Sequence, residues 1–468
     1  MPDTPEHLYW SATRIAAEIR AGAMSSVEVV RSVLERIDDV NPKLNAVVQL
    51  ARHRALAEAT ECDVLTAKGQ FRGPLHGVPI TIKDSLDTEG IISTGGTLGR
   101  KDFVPSADAP VVARLRSAGA VVVGKTNTPE LTLSGETDNV IYGRTNNPFD
   151  VERSPGGSSG GSAAIIASGG SYLELGSDTG GSIREPAHLC GITGIKPTSG
   201  RTPRTGHIVP YGGGVMDSLT QIGPMARYVE DLALALPIIC GPDGEDPSCV
   251  PVPLRSPTDL DPTKLRIAFF SDNGVVDACA DNVRVVVETA DALRDAGLPV
   301  TQQPLPGMTR LAELSKELRD AVGEGYILRL LDLHGTESPG PTLAAYFTNR
   351  ASEGRVVLDP TLLERIDRAK SEALRFMADY DAILCPPSKE LARPHGASNA
   401  DAFDDWSYIM MVNLLGWPGL SVRAGTSRIH ALPVGVQIIA APWREDIALA
   451  VGQKVETLMG GFRRPPIG

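Results

Sequence analysis

Basic residues are in deficit in this chain: 45 lysines and arginines stand against 57 aspartates and glutamates, a net charge of −12 over 468 residues. That balance argues against a nucleic-acid surface or an anionic membrane as the partner. Apolar runs of spanning length are missing, as is a signal segment, so the expectation is a protein neither secreted nor membrane-embedded, at work in the cytoplasm. The six cysteines, Cys62, Cys190, Cys240, Cys249, Cys279 and Cys385, include no CxxC pair. Such scatter suits buried thiols in a reducing compartment better than a disulfide framework or a zinc site. No GxGxxG run and no internal repeat occurs, and Gly160-Gly161-Ser162 lacks the lysine that a Walker loop requires. Neither a metal nor an organic cofactor is expected.

What the chain does have is concentrated between Arg153 and Thr198, in RSPGGSSGGSAAIIASGGSYLELGSDTGGSIREPAHLCGITGIKPT. Two serine clusters, each seated among glycines, flank a short run of small apolar residues. Glycine lets the backbone approach a ligand closely, and a serine held in such a loop can present its hydroxyl as a nucleophile. A GGSSGGS run by itself reads as a flexible linker. Here SAAIIASGG follows at once, a segment fit for a tightly packed helix, which puts the loop at a helix N-terminus.

A nucleophile needs a base, and no histidine is obviously placed to serve. His188, in PAHLCGI, reads as a packing histidine. Upstream, Lys83 closes the apolar, β-branched run Val78–Ile82. A lone strand-end lysine usually snorkels to solvent. Buried, it is costly unless neutral or paired, and desolvation lowers its pKa until it can take a proton from a serine.

GVPITIKD, SPGGSSGGSAA, GSDTGGSIR with CGITGIKPT after it, and LPVGVQIIAAPWRED occur in the order found in the amidase signature family of C–N hydrolases, which the chain resembles from about Leu75 to Asp446. The resemblance implies that Lys83 is the general base, Ser158 the bridging serine, held in a cis peptide, and Ser182 the nucleophile. The separation of Ser158 from Ser182 fits the family pattern and selects Ser158 over Ser159. In this reading Ser182 attacks a carbonyl and its proton passes through the Ser158 hydroxyl, which both donates and accepts, to neutral Lys83. The backbone N–H groups of Thr179, Gly180, Gly181 and Ser182 are the candidate oxyanion donors. Asp178 and Arg184 flank the turn and are expected to hold its shape as an ion pair.

The resemblance also implies an α/β fold with one large, mixed, twisted sheet of about ten or eleven strands flanked by helices, in a single domain over 1–468. Within it, 1–65 forms an N-terminal helical wrap, 70–230 the signature core, and 231–468 completes the sheet and the variable substrate wall. Local patterns agree. SATRIAAEIRAG, with Ser11 at the N-cap, and SSVEVVRSVLERIDDV repeat apolar residues at helical spacing, and the pattern reads as helical to about Ala59. APVVARLRSAGAVVVGK alternates helix and strand, and LRIAFF, YDAILCPPS and PVGVQIIAAP read as later strands. ARYVEDLALALPIIC and NVRVVVETADALRDAG read as helices, with GPDGEDPSCVPVPLRSPTDLDP between them as a loop.

Segments 302–350 and 390–418 carry no family motif, yet hold Tyr326, Tyr346, Phe347, Trp406, Tyr408, Met410, Met411 and Trp417. Tyr326, Tyr408, Met410 and Trp417 are the candidates for binding an apolar acyl group. The charges there, Arg329, Arg350, Arg393, Asp404 and Asp405, read as solvated surface. Three functions follow. The first is a free-standing amidase that cleaves a carboxamide, anilide or acyl hydrazide, with a small-molecule substrate and a homodimer as candidate assembly. The second is the glutaminase subunit of a tRNA-dependent amidotransferase. Against it, that subunit carries aromatic-Ala-Ser-Ser-Leu-Asp where this chain has Tyr211-Gly212-Gly213-Gly214-Val215-Met216-Asp217-Ser218. The third is a non-catalytic scaffold, which the intact triad positions argue against.

Overall fold

Runs of buried β-branched residues set up the centre of the molecule. The computed structural model describes residues 4–351, 359–397 and 403–467. Eleven strands among them form one sheet: β1 (Val47–Leu50), β2 (Pro79–Lys83), β3 (Val121–Thr126), β4 (Leu173–Asp178), β5 (Thr193–Lys196), β6 (Gln221–Ala226), β7 (Ile267–Phe269), β8 (Val300–Gln302), β9 (Ala382–Cys385), β10 (Gly419–Thr426) and β11 (Pro433–Ala440). The spatial order is β1-β3-β2-β4-β6-β5-β10-β11-β9-β7-β8. β3, β2 and β4 run parallel, as do β9, β7 and β8, while the strands between and at the β1 edge pair antiparallel. The sheet is therefore mixed, as the sequence implied. Every residue of β2, β3 and β4 is buried, the pattern of strands covered on both faces.

The helix Ser26–Leu44 turns Val29, Val30, Val33, Leu34 and Ile37 into the core, and a capping box at Ser25 and Glu28 starts it. Ser11 caps the preceding helix, Ala12–Arg20, by accepting from the Arg14 N–H at 3.1 Å. The helical reading to Ala59 breaks at Asn45, whose φ of 48° ends the second helix and turns the chain into β1. The Asn41 side chain makes that turn: it accepts from the Ala46 and Val47 N–H groups and donates to the Val47 carbonyl. Helix resumes only at Arg52–Thr66.

The helix Gly160–Ala167 is buried along its whole length. It can lie so deep because its residues are small. A Cβ on Gly161 would stand 2.5 Å from the Asn127 nitrogen and 2.8 Å from the Ala46 oxygen. Four cysteines are buried and Cys240 and Cys279 half-buried, all as free thiols. Among the described residues no helix is long and apolar enough to cross a membrane.

Candidate active site

Parallel neighbours β2 and β4 end at the same edge of the sheet, so the residues at their C-terminal ends converge. β2 ends in Lys83. β4 ends in Asp178, and the turn Thr179-Gly180-Gly181-Ser182 leads from it into the helix Arg184–Leu189. The loop before Gly160–Ala167 brings in Ser158 and Ser159, with the Gly157–Ser158 peptide in the cis form.

Lys83 is fully buried. Its Nζ lies 2.7 Å from Ser158 Oγ, 2.9 Å from Ser159 Oγ and 3.0 Å from Ser177 Oγ. Three hydroxyls suit a neutral amine, which has two hydrogens to give and one lone pair to receive, because each hydroxyl can take either role. Burial drives the Lys83 pKa down to about 7, against the opposing pull of the Asp178 and Glu174 charges. The bond to Ser158 is the shortest of the three, and the Ser159 N–H is occupied by the Ser182 carbonyl at 3.2 Å.

Asp178 organises the turn. Its carboxylate accepts from the Gly181 N–H at 2.8 Å, the Ile183 N–H at 3.2 Å and Asn413 Nδ2 at 2.9 Å. Arg184 closes a two-pronged pair on it, Nε at 2.9 Å and Nη2 at 3.0 Å, with both side chains buried. Burial works to raise the Asp178 pKa, but the charge and hydrogen bonds of Arg184, with Asn413, overcome it and hold the carboxyl well below the usual carboxylate range. One expectation needs correcting here. The Gly181 N–H donates to Asp178, which takes it out of the four candidate oxyanion donors, and the residues Thr179, Gly180 and Ser182 line the adjoining cavity.

That cavity has a volume of about 280 Å³. Ser182, Thr179 and Gly180 line it, and Met216, Leu318, Tyr326, Leu343, Tyr346 and Met410 contribute to an apolar wall. Of the four residues expected to bind an acyl group, Tyr326 and Met410 therefore line the cavity. Tyr408 and Trp417 do not. Both are buried in the second apolar core, and the Tyr408 hydroxyl is spent on the Val276 carbonyl at 2.9 Å. Trp406, in the segment 390–418, also lines the cavity, while Met411 is core. Arg329 is exposed, Arg393 pairs with Asp405 at 3.0 Å, and the Arg350 side chain lies outside the described residues.

A carboxylate that sequence reading missed lies behind Lys83. Glu174, on β4, accepts from Thr81 at 2.6 Å, Ser162 at 2.6 Å and Thr126. Burial lifts its pKa to about 7 in spite of those bonds. Only an alternation of Glu174 with apolar residues along LELGSD marked it, and that pattern does not separate a buried acid from a surface one. His188 is buried and neutral, its pKa pressed down to about 4 by burial, and it accepts the Gly435 N–H at 2.8 Å.

Three comparisons bear on this arrangement. The family model described as Amidase matches residues 28–449. The indoleacetamide hydrolase of Bradyrhizobium diazoefficiens is 35% identical over 470 residues, covering 96% of this chain and 87% of its own. A glutamyl-tRNA(Gln) amidotransferase subunit from Carboxydothermus hydrogenoformans is 36% identical, covering 96% of this chain and 97% of its own. The X-ray structure of native peptide amidase from Stenotrophomonas maltophilia superposes with a TM-score of 0.83 at 29% identity, over 99% of both chains.

Proposed function

The chain belongs to the amidase signature family of C–N hydrolases, and on that footing we propose that it is a free-standing amidase for a carboxamide with an apolar acyl group. The observation that carries this reading is Lys83: buried, joined to three hydroxyls instead of a carboxylate, and set at the strand end beside the cavity that Ser182 enters.

Ser182 Oγ attacks the substrate carbonyl. Its proton moves to Ser158 Oγ while the Ser158 proton moves to neutral Lys83, so the base becomes an ammonium and the relay serine is unchanged. The tetrahedral oxyanion lies against the Thr179–Ser182 turn, whose geometry Asp178 fixes before substrate arrives. As the C–N bond breaks, the proton returns from Lys83 through Ser158 to the departing nitrogen. Water then repeats the cycle on the Ser182 ester and releases the acid.

The wall supports the acyl assignment. A glutamine side-chain amide brings an α-ammonium and an α-carboxylate that want charged partners, whereas Met216, Leu318, Tyr326, Leu343 and Met410 offer apolar surface and the charged side chain among the lining residues, Arg319, lies 3.2 Å from Asp320. Met216 belongs to the Tyr211–Ser218 stretch that departs from the glutaminase pattern. The glutaminase reading keeps one observation in its favour, an identity to the amidotransferase subunit as high as to the hydrolase. Assaying the isolated chain on glutamine, asparagine, benzamide and medium-chain aliphatic amides separates the two. Benzamide or an aliphatic amide should exceed glutamine in kcat/KM, and glutamine turnover equal to that of benzamide would overturn the proposal.

A further inference from the structure

Beside the large cavity lies a second, much smaller one, and the two share Gly135 and Trp406 as a common wall. Its volume is about 30 Å³, against about 280 Å³ for its neighbour. It is more polar than its neighbour: Glu185, Arg393, Asp405, Ser154 and Ser388 line it together with Leu189, Leu391 and Trp406.

Glu185 is the group there with something left to offer. It stands in the first turn of the helix Arg184–Leu189, three residues beyond Ser182, and its N–H reaches back to the Gly181 carbonyl at 2.8 Å. Its carboxyl accepts the N–H of Gly157, the residue before Ser158. Glu185 Oε2, by contrast, is sealed from solvent and has no hydrogen-bond partner. The nearby cations are engaged elsewhere: Arg393 pairs with Glu390 at 2.8 Å and Asp405 at 3.0 Å, and Lys389 with Asp405 at 2.9 Å. A buried carboxyl oxygen without a partner is costly, and a ligand that supplies one recovers that cost on binding.

We infer that this cavity is the leaving-group subsite, in which Glu185 Oε2 hydrogen-bonds a small polar group carried on the scissile nitrogen. The inference rests on Ser182 as the attacked-carbonyl partner. With the acyl group filling the apolar cavity, this assignment sets the nitrogen side of a substrate carbonyl at Ser182 toward the Gly135–Trp406 wall that the two cavities share. That small space favours a compact group on the nitrogen and rewards one that bears both hydrogens and a lone pair, an NH2 or an OH. Burial pushes the Glu185 carboxyl up to about 8, and such a group can pair with either protonation state. A methyl leaves Oε2 unpaired, as does the larger aryl ring.

The test uses one acyl group, whichever the amide panel ranks first, on five leaving groups: ammonia, hydrazine, hydroxylamine, methylamine and aniline. For the wild-type enzyme the hydrazide and hydroxamate should exceed the N-methyl amide in kcat/KM by at least about tenfold, with the anilide poorest. Glu185→Ala should compress the hydrazide to N-methyl ratio to within about threefold, while the ratio between two acyl groups on ammonia stays put. Loss of the Gly157 contact alone slows every substrate alike and leaves the first ratio standing. Glu185→Gln, which keeps an acceptor and a donor, should retain most of the discrimination, while Glu185→Met, similar in length with neither, should lose it and serves if the alanine variant folds poorly. An unchanged ratio in the alanine or the methionine variant overturns the subsite. Activity persisting in Ser182→Ala would instead remove the reading on which it rests.

Discussion

Replacing Lys83 with methionine tests the proposed base most directly. Free lysine titrates near 10.5, so at pH 7 roughly one side chain in three thousand is neutral. With its pKa lowered to about 7, Lys83 is neutral about half the time. The net shift thus raises the working fraction of the base by about a thousandfold or more. In the wild-type enzyme kcat/KM should fall about tenfold per pH unit below 7 and level off above it, to about 1% of the plateau at pH 5. Lys83→Met should lower the rate at pH 8 by at least about a hundredfold and abolish the inflection near 7. Lys83→Arg should do no better, since a guanidinium keeps its proton. Stability gives a second readout with a defined sign. The native pKa is lowered, so between about pH 7 and 10 the unfolded chain binds more protons and the Lys83 contribution to stability grows as pH rises. Denaturant midpoints of wild type minus Lys83→Met should therefore climb across that window. A methionine variant with wild-type activity at pH 7 and the same inflection would refute the assignment of Lys83 as base.

Ser182→Ala should cut kcat by about a thousandfold or more with the fold intact, and mass spectrometry after a fluorophosphonate should place the adduct on Ser182; an adduct on Ser158 or Ser159 would reverse the assignment. Asp178→Asn leaves Arg184 charged and buried against a neutral partner, so thermal unfolding should register a loss of about 3–5 kcal/mol, and an unchanged Tm would contradict the ion pair's structural role. Gly181→Ala puts a Cβ 2.7 Å from Ile409 at a φ of 123°, so both stability and kcat should drop, and wild-type behaviour in both measurements would mean the turn is more yielding than its packing indicates. Tyr326→Ala should raise KM for an aromatic amide more than for acetamide, and an equal effect on the two would take Tyr326 out of the acyl wall.

The parts legible in the sequence are those where local pattern and tertiary role coincide. β3 and β11 are apolar runs because both faces are covered, and burial leaves no polar side to blur the reading. The glycines around Ser158 and Ser182 are visible because close backbone approach demands them: a Cβ on Gly157 would stand 2.4 Å from the Ser134 oxygen. β1 was hidden because its turn is built by one side chain, Asn41, whose bonds to Ala46 and Val47 have no signature in hydrophobic periodicity. The acyl wall was half read for a different reason. It is assembled from residues far apart in the chain, among them Leu133, Met216, Leu318 and Met410. An aromatic such as Trp417 gives no local sign of whether it faces that cavity or the core beside it.

Glu174 was the least legible of the buried charges, and those charges determine how the base is poised. Lys83 could have been neutralised by a carboxylate, which would have kept it protonated and useless as a proton acceptor. Instead its contacts are the hydroxyls of Ser158, Ser159 and Ser177, which satisfy the amine without favouring the ammonium as strongly as an anion would. The two acids close enough to matter are each occupied. Asp178 is held by Arg184 and Asn413, and Glu174 accepts from Thr81, Thr126 and Ser162 while burial lifts its pKa to about 7. Their fields still pull the Lys83 pKa upward, against a larger desolvation that pulls it down, and the balance falls near neutrality. Substituting Glu174 by glutamine removes one of the upward pulls and should move the lower limb of the activity profile to more acidic pH. A strand-end lysine in a sequence therefore becomes a base only through what surrounds it, and most of those surroundings are threonine and serine hydroxyls on other strands and loops.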